Sequence, residues 1–354
     1  MKTAVVHRFV ANAALALLGL CVTGLAARAQ GTDAIYAAAK AEGAFVLYVG
    51  GPTAPWEATA RIFEQRYPGI KVSITGGFSN VLDKRIDKQL ADGKLEVDTA
   101  IFQTLQDFVR WHAEGKLLAY RPPGFDAIDA SFKQADGAFY GTMVIATPYM
   151  YNTQHVSATD VPNSAPDFLK SQLRGKMVTP YPADDDATLW LFHHIVLKYG
   201  WDYMDKYMAA KPNFIQGHLG EQRSIGSGQN WVTFDSIFNI TSAEKKEGKP
   251  VETHFSTVDA TPIWPLTGAI FKAAPHPNAA KLFLGWLLEP EQQIKTGTWS
   301  SRRDVPPPAG YKPIFDYPVV NDYRAFLTNE AQLVELRKRF EGYTGPVVNA
   351  GGVR

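Results

Sequence analysis

The chain has 354 residues, of which 45% are apolar, and this content is enough for two packed domains. Its 36 basic and 35 acidic side chains give a formal net charge of +1, with no block of like charge. This balance argues against binding to nucleic acid or to an acidic lipid surface. The single cysteine, Cys21, excludes a disulfide within the chain.

The first 29 residues have the features of a secretory signal peptide. A short basic start is followed by an apolar run over 13–26 and by the small-residue pattern Ala27-Arg28-Ala29, so we expect cleavage after Ala29. The apolar run is too short for a comfortable membrane anchor, and Leu20 before Cys21 does not fit a lipid-attachment signal. The mature protein is therefore predicted to be periplasmic, soluble, unlipidated and free of cysteine.

Strands alternate with helices in the following part of the chain. The predicted elements are, in chain order, a strand over 45–49, a helix over 54–67, a strand over 70–74, a helix over 82–90, a strand over 97–102 and a helix over 104–114. Repeated strand–helix units of this length predict an α/β fold, with helices on the faces of a parallel sheet.

From about residue 147 the same alternation continues in what we predict to be a second lobe. An apolar strand over 143–146 leads towards it, and residues 261–265 are predicted to lead back. The predicted elements between them are a strand over 175–179, helices over 189–199 and 203–208, and strands over 231–234 and 251–255. The predicted division is a signal peptide over 1–29, a first lobe from 30–146 plus 260–354, and a second lobe from 147–259.

Four segments carry a resemblance to a known family. Residues 275–293, with the sequence Pro-His-Pro-Asn-Ala-Ala at their start, resemble a stretch common in extracellular solute-binding proteins of the ferric-iron type. Segments 66–72, 151–153 and 301–305 are similar to the same group. The resemblance implies two α/β lobes joined by hinge strands, a ligand in the cleft between them, and delivery of that ligand to the permease subunits of an ABC transporter in the inner membrane.

The sequence departs from the iron-binding members of this family at the expected ligand positions. Those members have an adjacent Tyr-Tyr pair in the second lobe, whereas residues 231–236 here contain none. They also have histidine or acidic ligands after the first strand, and residues 48–53 contain neither. The sequence therefore favours an organic ligand, and ferric iron is the alternative.

Three loops of the first lobe follow predicted strands and begin helices. They contain Thr53, the pair Ser79 and Asn80, and the pair Gln103 and Thr104. In open α/β sheets a ligand lies beyond the carboxyl ends of the strands, where helix N-termini present free N–H groups. These residues are therefore candidate ligand contacts, although Thr53, Ser79 and Asn80 are also suited to capping their helices.

The second lobe and the two crossovers supply four further candidates. Asp185, within the run 184–186, and Asp235 each follow a predicted strand and are able to face a cationic group of a ligand. Acidic residues at a helix start also serve as caps, which is the alternative for Asp185. Tyr149 and Trp264 lie near the predicted hinges, where an aromatic ring either packs against a ligand or belongs to the core.

Catalytic and metal-binding patterns are not found. His193 and His194 point about 100° apart on a helix, whereas ligand pairs on one helix are three or four residues apart. The chain also lacks the nucleophile-elbow, phosphate-loop, zinc-protease and dinucleotide-binding motifs. We therefore predict a monomeric solute-binding protein with no catalytic residue, no cofactor and no metal. Its predicted ligand is a small organic solute with a carboxylate or phosphonate-like group.

Overall fold

The structure, a computed structural model, describes residues 31–348, so the predicted signal peptide lies outside the described residues. The first part of the chain contains α1 (residues 31–42), β1 (Ala44–Gly50), α2 (Ala54–Arg66), β2 (Lys71–Gly77), α3 (Ser79–Ala91), β3 (Thr99–Phe102), α4 (Leu105–Ala113) and β4 (Tyr140–Ala146). The predicted order of strands and helices in this part is confirmed.

The middle part begins after β4 and contains shorter strands. Its elements are β5 (Tyr149–Asn152), β6 (Val178–Pro180), α5 (Asp186–Tyr199), α6 (Asp202–Ala209), β7 (Asn213–Ile215), α7 (His218–Gly226), β8 (Val232–Thr233), α8 (Phe238–Lys246) and β9 (Val251–His254). The last part contains β10 (Thr261–Ile270), α9 (Pro277–Leu287), α10 (Pro290–Lys295), β11 (Val319–Val320), α11 (Tyr323–Leu327) and α12 (Glu330–Thr344).

Six strands form what we call the large sheet, in the order β11-β10-β3-β1-β2, with β4 also paired to β10. The strand β1 runs parallel to β2 and β3, as predicted, but β10 is antiparallel to β3 and β4, so the sheet is mixed. Phe45 and Leu47 on one face of β1 pack in a different hydrophobic cluster from Tyr48 on the other. The α/β class is confirmed, and the sheet is covered on both faces.

The middle part forms what we call the small sheets, with orders β8-β5-β9 and β6-β7. The strands β6 and β7 are parallel, and a parallel bridge from Met177 to Val232 places β8 beside β6. The carboxyl ends of β6, β7 and β8 therefore lie at one edge. That edge positions the side chains of the candidate site.

Two crossovers connect the large sheet to the small sheets, and they run side by side. The Thr147 backbone N–H donates to the Pro262 carbonyl at 3.0 Å, which joins the two crossovers where β4 ends and β10 begins. Residues 266–288 contact β1, β3 and β4, whereas α11 and α12 contact α5. The exact division of the chain into lobes stays a prediction, because the terminal helices contact elements of both parts. None of the helices within residues 31–348 has the length and apolar character needed to cross a membrane.

Candidate ligand-binding site

The three predicted loops of the large sheet come together at the carboxyl ends of β1, β2 and β3. The Gly51 backbone N–H donates to the Gly77 carbonyl at 2.8 Å, and the Ser79 hydroxyl donates to the Gln103 side-chain oxygen at 3.2 Å. A Cβ atom on Gly50 would lie 2.5 Å from the Ser79 Oγ and 2.6 Å from the Gln103 Oε1, so any other residue here would displace these two side chains. The loops thus form one polar surface.

The helices that follow these loops have no side-chain caps. The N-cap residues are Thr53 for α2, Phe78 for α3 and Thr104 for α4, and none accepts a cap hydrogen bond through its side chain. The Thr53 hydroxyl instead donates to the Glu57 carboxylate at 2.7 Å. Ser79 is the first residue of α3 rather than its cap, and Asn80 beside it is exposed. The alternative capping role expected for Thr53, Ser79 and Asn80 is therefore not seen.

The helix α5 differs, because Asp185 caps it. The Asp185 Oδ1 accepts hydrogen bonds from the backbone N–H groups of Ala187 at 2.9 Å and Thr188 at 3.1 Å. The capping alternative considered for Asp185 is thus observed. Since its own carboxylate occupies this N-terminus, α5 offers an anion less than α3, whose first turn has no acidic residue.

His218 lies between two aspartates at the carboxyl ends of the small-sheet strands. The His218 Nδ1 is 3.5 Å from the Asp185 Oδ2, and its Nε2 is 3.3 Å from the Asp235 Oδ1. The Thr188 hydroxyl donates to the other Asp235 oxygen at 2.6 Å. Although burial lowers the pKa of His218, Asp235 and Asp185 raise it to about 10. The imidazolium therefore ties the start of α5 to the residues that follow β8.

Glu221, one turn further along α7, is fully buried beside this group. Neither of its oxygens makes a hydrogen bond of ordinary geometry within residues 31–348. Burial raises the pKa of Glu221 well above its ordinary value, Asp235 raises it further, and His218 opposes both. Neither His218 nor Glu221 was a predicted site residue.

Asp186, at the start of α5, bonds side chains from α4 and α12. Its Oδ2 accepts a hydrogen bond from the Gln106 side-chain amide on α4 at 3.0 Å. Its Oδ1 forms an ion pair with Arg337 on α12. Because α4 packs on the large sheet and α5 follows β6 in the middle part of the chain, the Gln106 bond connects these two parts, while Arg337 ties α12 to α5. The sequence offered no signal for Gln106 or Arg337, which come from separate helices.

Trp264 lies at the same edge as the loops. The antiparallel register pairs Thr267 with Phe102, so the residues before Thr267 continue past the carboxyl end of β3, towards Thr104. Trp264 is 2% exposed and packs against Trp190 of α5. The structure therefore places Trp264 between the large sheet and α5.

Tyr149 lies elsewhere, beside the crossovers. Its hydroxyl donates to the Asp259 carboxylate at 2.8 Å, and its ring packs against Phe168. Tyr149 lines a cavity of about 270 Å³ that also involves Lys198 and Pro262. The structure does not bring Tyr149 together with the loop residues, and its role as a ligand contact stays a prediction.

The adjacent histidines have separate surroundings. The His194 Nε2 is 3.1 Å from the Asp322 carboxylate, whereas the His193 ring stacks on Phe326. In the part of the chain that the structure describes, no group of three or more histidine, cysteine, aspartate or glutamate side chains is arranged to hold a metal ion.

Comparison with known proteins identifies the family. Residues 58–316 match the family model described as bacterial extracellular solute-binding protein. The chain belongs to this family. The resemblance found in the sequence is therefore confirmed, and family members are the solute-binding components of ABC transporters, which bind small ligands and work with permease subunits. A search of curated protein sequences gave no significant match.

Solved structures with the same fold are similar over most of the chain. AfuA from Actinobacillus pleuropneumoniae, with bound fructose-6-phosphate, has a TM-score of 0.71 at 18% identity, covering 85% of this chain and 98% of AfuA. Iron-bound HitA from Pseudomonas aeruginosa has a TM-score of 0.68 at 16% identity, with coverages of 84% and 99%. An ABC-transporter substrate-binding protein from Agrobacterium tumefaciens has a TM-score of 0.69 at 14% identity, with coverages of 85% and 94%. The predicted two-lobed fold is confirmed.

Proposed function

We propose that this solute-binding protein captures a small organic solute with a carboxylate or phosphonate-like group, in the cleft between the large sheet and the small sheets. The observation that carries the proposal is the convergence of three helix N-termini, those of α2, α3 and α4, without side-chain caps. Uncapped N-termini present backbone N–H groups and the positive ends of helix dipoles, which favour a negative charge.

The opposite side of the cleft sets the orientation of the solute. Asp185 and Asp186 lie at the start of α5, and the Asp185 carboxylate already accepts the N–H groups of that helix. A ligand acid group there would be repelled by these carboxylates. The acid group is therefore expected to lie against the large-sheet loops, and the rest of the solute to extend towards α5.

The structural neighbours are compatible with two ligand classes. AfuA holds fructose-6-phosphate, an organic molecule with an anionic group, whereas HitA holds iron. Ferric iron is a hard cation that prefers several anionic oxygen ligands. The half-buried carboxylate of Asp185 and the buried carboxylate of Asp235 already have partners in His218, Thr188 and the α5 N–H groups, which supports the organic solute.

The proposal places the protein in the periplasm as a cleaved, unlipidated monomer without catalytic activity. Intact mass of the exported protein tests the first part of this statement. A mature chain that begins near Gln30 is expected, and a lipid-bearing Cys21 at the amino terminus would contradict it.

A thermal-shift screen of the mature protein tests the ligand class. Carboxylates, phosphonates, sugar phosphates and ferric salts are compared with and without a chelator. A ligand at a hundredfold excess over its Kd adds about 2.7 kcal/mol to the free energy of unfolding, which is readily detected. We expect organic acids to stabilise the protein regardless of chelator. Stabilisation by ferric salts alone, lost on addition of chelator, would replace the proposal with iron binding.

A further inference from the structure

Two buried polar groups near the cleft have no hydrogen-bond partner within residues 31–348. They are the indole N–H of Trp264 and the hydroxyl of Tyr323, whose side chains are 2% and 1% exposed. Other buried tryptophans differ, because the Trp190 indole donates to Asp322 at 2.8 Å and the Trp111 indole donates to Asp87 at 2.7 Å. Buried donors without partners are destabilising, and these two lie where a ligand in the cleft is able to supply the acceptor.

The two groups share one location. The ring centroids of Trp264 and Tyr323 are 5.3 Å apart. The Trp190 ring centroid lies 6.2 Å from that of Trp264 and 4.9 Å from that of Tyr323. We call these three residues the aromatic triad. Trp264 is in β10 and lies beyond the carboxyl end of the neighbouring strand β3, and Trp190 belongs to the second turn of α5. The triad thus lies between the large-sheet loops and the small sheets, beside the N-terminus of α4.

The chemistry of the triad restricts what it can bind. An indole N–H only donates, so its partner has to be an acceptor, which excludes an ammonium group. Burial raises the pKa of Tyr323 well above its ordinary value, Asp186 and Asp185 raise it further, and Arg337 opposes them. Asp185 and Asp186 lie at the start of α5, about one turn before Trp190, and disfavour a second anionic group here. The remaining partner is a neutral oxygen of a hydroxyl or carbonyl group.

We propose that Trp264 and Tyr323 form a subsite for a neutral hydroxyl or carbonyl oxygen on the body of the transported solute. This inference rests on the proposed function, because the acid group of the same solute lies at the adjacent helix N-termini. The apolar faces of the triad contact the carbon skeleton, and the indole N–H and the tyrosine hydroxyl bond the oxygens. The solute is accordingly a hydroxylated or oxo acid rather than a simple fatty acid or an amino acid.

Titration calorimetry of the mature protein with matched probes tests the subsite. The probes are D-gluconate with hexanoate, which share a carboxylate and differ in hydroxyls, and fructose-6-phosphate with inorganic phosphate, which lacks the sugar body. The variants are Trp264→Phe and Tyr323→Phe. Tyr140→Phe is the control, since the Tyr140 hydroxyl is also buried with no partner among the described residues but lies at the far end of β4, against Phe125.

We expect at least one hydroxylated probe to bind the unaltered protein more tightly than its match does. Trp264→Phe and Tyr323→Phe should each weaken that binding by about three- to tenfold, which corresponds to the loss of one hydrogen bond. Tyr140→Phe should change the affinity for the hydroxylated probe less than twofold, and the two cleft variants should change the affinity for the non-hydroxylated match less than twofold. If the unaltered protein and all three variants bind the hydroxylated probe with equal affinity, the subsite is contradicted but the proposed function is not. Tighter binding of hexanoate and inorganic phosphate than of both hydroxylated probes would also contradict the subsite. If none of the acids binds, both the subsite and the proposed function are contradicted.

Discussion

At the scale of single residues, the candidate site depends on how buried charges are paired. His218 is held between Asp185 and Asp235, and no lysine or arginine within residues 31–348 forms an ion pair with either aspartate. Removing one partner of a buried charge pair leaves the other partner uncompensated. His218, which the sequence did not single out, is therefore expected to contribute strongly to the stability of the small sheets.

The variant His218→Gln should lower the free energy of unfolding by about 3–5 kcal/mol at pH 6. Its effect should depend on pH, because the native pKa of about 10 lies above the unfolded value of 6.5. The stabilisation by His218 is complete below about pH 6.5 and is lost as the pH rises through about 10. Urea unfolding between pH 6 and pH 9.5 measures the difference between the two proteins. A difference that stays constant over this range would contradict the charged His218.

The exposed His155 provides the control for this experiment. Its ring stacks on Trp231 and it belongs to no ion pair within the described residues. The variant His155→Gln should change the free energy of unfolding by less than about 0.5 kcal/mol at each pH.

At the scale of elements, the sequence was sufficient for the alternation of β1 to β3 with α2 to α4. Apolar residues recur every second position in the strands and every three to four positions in the helices, and Gly or Pro residues follow the ends of these elements. The loops that follow these strands were correctly expected to meet, because carboxyl ends of parallel strands share one edge. The parts that were missed are α7 with His218 and the packing of α11 and α12 on α5. His218 depends on Asp185 and Asp235 from two other loops, and α11 and α12 pack on a helix more than 100 residues earlier in the chain, so no local pattern specifies these contacts.

The link between α4, α5 and α12 through Asp186 leads to a prediction at this scale. The variant Asp186→Asn keeps an oxygen for the Gln106 amide but removes the charge that pairs with Arg337. We expect a loss of about 1 kcal/mol in the free energy of unfolding, the upper end for a partly exposed pair. The matched control is Asp92→Asn, which removes the exposed pair with Lys88 and should cost about 0.3 kcal/mol. Equal losses in the two variants would show that the Asp186 link is an ordinary surface contact.

At the scale of the whole molecule, the two crossovers and the contacts of the terminal helices suit a hinge. The joined crossovers at Thr147 and Pro262 are compact enough for the two sides to rotate about them. The Asp186 link and the aromatic triad both span the cleft, so they open when the sides separate. We expect a ligand to reach the enclosed Trp264 in that open arrangement and to be covered as the sides close.

Closure predicts that a bound solute changes both the shape of the protein and the surroundings of Trp264. Small-angle scattering should show a smaller radius of gyration at saturating ligand, and the fluorescence change on binding should be reduced in Trp264→Phe. The variant Trp299→Phe is a useful control, because that indole donates to the Lys312 carbonyl away from the cleft. Scattering and fluorescence that stay identical with and without ligand would contradict closure.

The central claim is that an acid group of the solute binds at the uncapped helix N-termini of the large sheet. The most direct test is titration of the best-binding organic acid against Asn80→Asp, which adds a negative charge in the first turn of α3 without changing side-chain size. The same substitution at Asn329, the N-cap of α12, is the control. We predict that Asn80→Asp folds as stably as the unaltered protein, since an acid in the first turn suits the helix dipole, but binds the acid at least tenfold more weakly, whereas Asn329→Asp binds it normally. Unchanged affinity in Asn80→Asp would contradict the claim.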